Sequence, residues 1–246
     1  MRLTVVGCSG SFPGPDSAAS CYLVEHEGYR VLLDLGNGAL GPLQKCVRLD
    51  QVDAVLISHL HSDHYIDLCS YYVARKYDPA GHYAPLPVLG PSRIREQVTQ
   101  AYGVVPHTFD EVFSFSTHQP TTDLGPFRVT TAQVAHPVEA YGFRLEAGGK
   151  VLTYSGDTGP CGSLTGLAKD ADLLLCEASF VTGEDNPTDL HLTGREAGAA
   201  ADQGGVGRLV LTHVPPWYSR SQALTEAAET YAGSSVAAES GMVVEL

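Results

Sequence analysis

The run His59-Leu60-His61-Ser62-Asp63-His64 follows directly on the apolar segment Ala54-Val55-Leu56-Ile57-Ser58, and no other stretch limits the chain so strongly. Four of its six residues are metal-ligand types, and three of the chain's ten histidines lie in it. The apolar segment reads as a strand covered on both faces. Beyond its end, alternate His59 and His61 face one side of an extended segment, and the following turn brings Asp63 and His64 back toward a second point nearby. Imidazole and carboxylate together, with no cysteine in the run, suit Zn²⁺ and its first-row neighbours rather than a closed thiolate site.

The pattern recurs. Apolar strands repeatedly end on a metal-competent side chain: the segment before His136, Val151 to Ser155 before Asp157, Leu173 to Cys176 before Glu177, and Leu209 to Thr212 before His213. In sheets flanked by helices, ligands gather outside the carboxyl ends of strands, so these five ends are expected to converge on one site. Further strands are expected at Leu3 to Val6, Cys21 to Glu25, Arg30 to Leu35, Pro87 to Leu89, Val112 to Ser116, Phe127 to Ala135, Gly142 to Glu146 and Val243 to Glu245. Helical spacing marks Ala39 to Val47, Ile66 to Tyr77, Ser92 to Ala101, Ser163 to Lys169, Thr193 to Gln203 and Gln222 to Ala232. Thr193 with Glu196 three residues on has capping-box spacing. Short glycine turns join the early strands and helices separate the later ones, which predicts an α+β class with two packed sheets and helices outside.

Composition narrows what such a chain does. At 246 residues with 43% hydrophobic content and no polar linker, residues 1–246 read as one domain with a real core. Fifteen Lys and Arg against 28 Asp and Glu leave a net charge of −13, which repels phosphate backbones and anionic membranes. No apolar run is long enough for a signal or a membrane span. Six cysteines without a CxxC pair fit a reducing cytoplasm.

On these residues the chain resembles the metallo-β-lactamase-fold hydrolases, whose HxHxDH signature is matched by His59, His61, Asp63 and His64, with AHP at His136, SGDT at Asp157 and THVPPW at His213. The resemblance implies a four-layer αββα sandwich. It also implies two divalent metal ions, Zn²⁺ foremost with Mn²⁺ or Fe²⁺ as alternatives. One is held by His59, His61 and His136, the other by Asp63, His64 and His213, with Asp157 bridging. A narrower likeness, in YSGDT, CEASF and LHLTGREAG, is to the ribonuclease Z branch, in which a glutamate and a histidine assist the departing oxygen; by position these are Glu177 and His191. Two departures stand out: Cys176 replaces the usual histidine before the glutamate, and Leu192 replaces the serine after His191.

Enzymes of that branch that grip transfer RNA carry a Gly/Pro-rich arm between the third histidine and the bridging aspartate. Here His136 and Asp157 are only 21 positions apart, an interval filled by two strands and the Gly148-Gly149 turn. With the acidic charge, this points away from stable nucleic-acid binding and toward a small phosphodiester. The whole-chain pattern also resembles short actinobacterial-type cyclic-nucleotide phosphodiesterases of this branch, which implies metal-dependent attack of hydroxide on phosphorus, aimed by Asp63 as a catalytic residue with Glu177 and His191. A homodimer is what the family suggests. The competing expectations are transfer-RNA 3′ processing, lactone or thioester hydrolysis, and a catalytically dead scaffold.

Weaker features remain. Ser9 and Ser11 lie in Gly7-Cys8-Ser9-Gly10-Ser11, read as a tight turn or a phosphate-binding backbone nest. Trp217 with Pro215 and Pro216 reads as core packing, a dimer contact, or a wall on which a base stacks. His26, His82, His107 and His118 read as solvent histidines, and Tyr71, Tyr72 and Tyr77 as packing residues.

Overall fold

A computed structural model describes residues 1–246. Its first half builds one sheet from β1 (Arg2–Ser9), β2 (Ala18–Ala19), β3 (Cys21–His26), β4 (Tyr29–Leu33), β5 (Ala54–Leu56), β6 (Leu86–Gly90) and β7 (Phe113–Thr117). The second sheet comprises β8 (Thr121–Leu124), β9 (Phe127–Gln133), β10 (Tyr141–Ala147), β11 (Lys150–Tyr154), β12 (Leu173–Glu177), β13 (Arg208–Thr212) and β14 (Ser234–Ala237), after which β15 (Val243–Glu245) returns to the first. The orders are β15-β1-β3-β4-β5-β6-β7, with β2 beside β1, and β14-β13-β12-β11-β10-β9-β8. Helices α1 (Leu40–Cys46), α2 (Ser62–Tyr65), α3 (Leu68–Lys76) and α4 (Ile94–Tyr102) accompany the first sheet; α5 (Gly162–Ala168), α6 (Gly194–Gly204) and α7 (Arg220–Ala228) accompany the second.

Strand alternation sorts the apolar side chains into layers. Tyr22, Val24, Val31, Leu33, Phe143, Leu145, Leu173 and Leu175 fill the space between the sheets. Their neighbours Leu23 and Leu32 turn outward against Leu43, Leu68 and Tyr71 of the first helix layer. Leu174, Leu209 and Leu211 turn outward against Leu164, Ala197, Ala201 and Ala227 of the second. Helix, sheet, sheet, helix is the four-layer αββα sandwich of the metallo-β-lactamase fold, as the resemblance implied. Thr193 caps α6 with both hydrogen bonds of the capping box to Glu196.

Strands β4 to β7 run parallel, as do β11 to β14, and β9 points the same way as β11 because two antiparallel pairings separate them. The carboxyl ends of β9, β11, β12 and β13 therefore share one edge of the second sheet. No helix is long and apolar enough to cross a membrane.

Several expectations are corrected. Strands β2, β8 and β14 carry no apolar alternation; β8 and β14 are the edges of their sheet, where polar residues blunt further pairing. The expected helix from Ile66 begins at Leu68, preceded by the separate turn α2 inside the histidine run. Tyr77 is 68% exposed rather than packed. His118 is no solvent residue: it is half-buried, with Nε2 2.8 Å from the Ile57 carbonyl oxygen and its ring against Tyr141 and Phe143. His26 is half-buried against the Phe127 ring.

Candidate metal centre

Each polar residue of the cluster sits at the end of a strand or on the loop that leaves it. His59 follows β5 by three residues, His136 follows β9, Asp157 follows β11, Glu177 is the last residue of β12, and His213 directly follows β13. His213 takes a left-handed backbone (φ 54°), which turns the chain sharply as it leaves the sheet. Gly36, in the turn after β4, lies against the histidine run: a Cβ there would fall 1.9 Å from the Asp63 carbonyl oxygen. Only glycine permits that approach.

Two groups of side chains face one another. His59 Nε2 and His136 Nε2 lie 3.0 and 3.2 Å from His61 Nδ1. Asp63, His64, Asp157 and His213 form the second group. Asp157 joins them: its Oδ2 is 3.2 Å from both His64 Nε2 and His213 Nε2 and 3.6 Å from His59 Nε2. All of these except His61 and His136 are buried, and those two are half-buried.

A second layer of partners occupies the outward nitrogens. His136 Nδ1 lies 2.9 Å from the Leu190 carbonyl oxygen, His213 Nδ1 lies 2.8 Å from Ser20 Oγ, and His59 Nδ1 lies 3.1 Å from Ser58 Oγ. His64 Nδ1 donates to Asp34 Oδ2 at 2.7 Å. Asp34 is fully buried and also accepts from the Ser58 N–H, the Ser58 hydroxyl and the Tyr154 hydroxyl. With Nδ1 of His59, His64, His136 and His213 engaged, Nε2 of each is the ring nitrogen turned toward the cluster.

Such an arrangement fits cations and little else. Ligand nitrogens around a tetrahedral Zn²⁺ at 2.0–2.1 Å stand about 3.3 Å apart, close to the separations in the first group. His64 Nε2 and Asp157 Oδ1 are buried without any hydrogen-bond partner, as expected of atoms that direct electron pairs at a metal. Without a cation, the protein balances its own charge. Burial disfavours an imidazolium at His64, yet Asp157, Asp34 and Asp63 hold its pKa well above the usual histidine value. Burial also opposes ionisation of Asp63, but His64 and His213 hold it below the ordinary carboxylate range. His59 moves the other way, lowered first by burial and then by His64. A cation in the second group takes the place of the His64 proton.

Glu177 and His191 stand beside Asp157. Glu177 is fully buried, and its Oε1 accepts from the Thr158 N–H at 2.6 Å and lies 3.0 Å from His191 Nδ1; its Oε2 accepts from the Leu192 N–H at 3.3 Å. With its lone pairs held by N–H donors, this carboxylate is a partner for His191 rather than a third ligand set. Burial works against the charged ring, but Glu177, followed by Asp157, outweighs it and pushes His191 up to about 9. With Nδ1 engaged by Glu177, Nε2 is the ring nitrogen left unengaged.

The remaining sequence candidates divide. Ser11 reaches the cluster through its backbone, its N–H directed at His213 Nε2 at 3.4 Å. Ser9 does not: β1 continues through it, and it is buried beside Val214. Gly7 to Ser9 are thus strand rather than a turn or nest, and the Gly10 N–H is used by the Val214 carbonyl. Trp217 is 62% exposed, which excludes core packing. Cys176, the departure from the family pattern, points away from Glu177 into the core beneath the second helix layer. Asp34 escapes a reading of the sequence because the strand expected from Arg30 to Leu35 runs through it. The signal is present, since it too is a polar residue ending an apolar strand.

A sandwich with imidazoles and carboxylates gathered at one edge of its sheets defines a metallo-hydrolase of the β-lactamase type. Residues 29–214 match the family described as the beta-lactamase superfamily domain, and the chain belongs to it. Among its relatives, the Mycobacterium tuberculosis protein Rv1339 is 42% identical over 95% of this chain and 88% of its own length. The Bacillus subtilis "Probable metallo-hydrolase YhfI" is 33% identical over the whole of both chains; the crystal structure of YhfI superposes with a TM-score of 0.90, covering 99% of each. Ribonuclease Z of Mycobacterium bovis is 33% identical over 88% of this chain and 86% of its own, in keeping with a ribonuclease Z-like branch. Membership of this fold implies divalent-metal binding.

Asp34→Asn is expected to weaken metal binding about 10- to 100-fold, because an amide cannot hold both His64 Nδ1–H and the Ser58 donors. Competition with a chromogenic chelator measures it; unchanged affinity would show that Asp34 does not orient His64.

Proposed function

We propose that the protein is a binuclear metal-dependent phosphodiesterase acting on a small substrate, a cyclic nucleotide foremost. The observation that carries this reading is the Glu177–His191 pair, with His191 Nδ1 3.0 Å from Glu177 Oε1 and 3.9 Å from Asp157 Oδ2. An alkoxide leaves phosphorus poorly unless protonated, whereas an acyl leaving group needs less help, so a lactone or thioester hydrolase would leave the pair without a task. The small-substrate choice rests on the short β10–β11 hairpin between His136 and Asp157, which has no inserted arm, and on the net charge of −13.

His59, His61 and His136 would hold one divalent ion and Asp63, His64 and His213 the other, with Asp157 between them; Zn²⁺ suits this donor set best, with Mn²⁺ and Fe²⁺ as alternatives. When bound, such a pair supplies Lewis acidity toward phosphoryl oxygens and an ionisable water near neutral pH. Asp63, its side chain 10% exposed, accepts a hydrogen bond from the attacking hydroxide, the water's other proton having passed to solvent, and aims it in line at phosphorus. His191 Nε2–H gives its proton to the departing oxygen as the P–O bond breaks. Glu177, fixed by the Thr158 and Leu192 N–H groups, keeps the ring charged and oriented. A second reading, transfer-RNA 3′ processing, draws on the ribonuclease Z relative and the same pair.

A panel of cyclic AMP, cyclic GMP, a bis-aryl phosphate, an unprocessed transfer RNA and a lactone separates these readings. Turnover of the cyclic nucleotides and the aryl ester is expected; cleavage of the lactone alone would refute the proposal. His191→Ala should lower kcat on cyclic nucleotides about 10²- to 10⁴-fold while sparing the activated aryl ester, and equal losses on both would remove proton donation from its role. Protonated His191 is the active form, so activity falls as pH rises through its pKa. Loss of the Glu177 charge lowers that pKa, and Glu177→Gln should therefore move the alkaline limb of kcat to lower pH. An unmoved limb would detach Glu177 from His191 ionisation.

A further inference from the structure

Two large exposed rings, one residue after Ser11 and four residues after His213, belong to none of the cluster's groups. Trp217 is 62% exposed and Phe12 39%, with centroids 4.8 Å apart and planes tilted by 43°. Their position is built by the same backbone that carries His213. Ser9 bridges to Val214 in parallel, the Gly10 N–H donates to the Val214 carbonyl, and a Cβ on Gly10 would fall 2.3 Å from the His213 carbonyl oxygen. The two segments leave the cluster side by side, one reaching Phe12 and the other Trp217. Pro215 and Pro216 fix φ on the second path, and a Cβ on Gly14 would fall 3.2 Å from Pro216 Cγ.

Ser11 connects Phe12 to the candidate ligands. Its backbone is left-handed (φ 63°), an uncommon state for a residue with a Cβ, and it directs the N–H at His213 Nε2. His213 Nδ1 is already paired with Ser20. Once the Nε2 lone pair is given to a cation, the Ser11 N–H has no acceptor and is open to an anionic oxygen. Phe12 is the next residue, about 3.8 Å away from Cα to Cα.

We propose that Phe12 and Trp217 form a stacking subsite for the planar ring of the substrate, a nucleobase or an aryl group, with the Ser11 N–H taking a phosphoryl oxygen beside it. The class of ligand rests on the phosphodiesterase reading; the subsite rests on the geometry. Stacking is tolerant of base identity, so adenine and guanine are accepted alike.

Trp217 is the chain's only tryptophan, so its fluorescence reports on the subsite directly. Metal-loaded protein titrated with 5′-AMP should show a saturable change in emission that ribose 5-phosphate and inorganic phosphate do not produce. Phe12→Ala should weaken 5′-AMP about tenfold and leave ribose 5-phosphate unchanged. By calorimetry, Trp217→Ala should do the same and Trp217→Phe should largely restore binding. Both positions are exposed, and unchanged melting temperatures check that the variants fold. Equal affinity for 5′-AMP and ribose 5-phosphate with unaltered emission would overturn the proposal. So would emission that follows protein concentration and ignores 5′-AMP, which would assign the pair to a contact between copies. A response to 5′-AMP without phosphodiester turnover keeps the subsite and removes the phosphodiesterase reading, and turnover without a response does the reverse.

Discussion

A carboxylate that is almost wholly removed from solvent, Asp157, sets the terms for everything around it. Isolated burial of such a charge costs several kcal/mol, and the chain meets that cost by bringing His64, His213 and His59 to within 3.6 Å of one oxygen. The other oxygen is left without a partner. Three strands and the loops that leave them must end at the same place for this to happen, which is why the edge of the sandwich is more constrained than its middle.

Around that carboxylate, orientation is decided one layer out. Asp34, Ser20, Ser58 and the Leu190 carbonyl engage the outward nitrogens of the histidines and so fix which way the inward lone pairs point. Asp34 alone gathers His64, Ser58 and Tyr154, tying the first sheet to the second through a single buried group. Glu177 does the same for His191, and its own geometry is set by the Thr158 N–H, one residue from Asp157. The candidate acid and the candidate metal groups are therefore held by one connected network.

Legibility in the sequence followed contiguity and periodicity. The strands of the core could be read because they are unbroken apolar runs, such as Val31-Leu32-Leu33 and Leu173-Leu174-Leu175, where every residue is buried but successive ones enter different layers. The edge strands β8 and β14 could not, since an edge has one partner and keeps polar residues. His59, His61, Asp63 and His64 were visible because they share one short run. Nothing local in the sequence distinguishes the His118 ring, half-buried and bonded to the Ile57 carbonyl, from a solvent histidine.

The sequence by itself determined the class of fold, through its apolar strands and helix spacing, and the types of side chain available for chemistry, through their placement at strand ends. Only the tertiary structure decided which of those side chains meet. Strand direction carried residues as far apart as His59 and His213 to one edge, while Ser9, two residues from Ser11, was turned into the interior. Periodicity is a local property of a chain, but the direction of a lone pair depends on partners such as Asp34 and Ser20 that lie far away in sequence and become neighbours only once the two sheets have closed on their shared core.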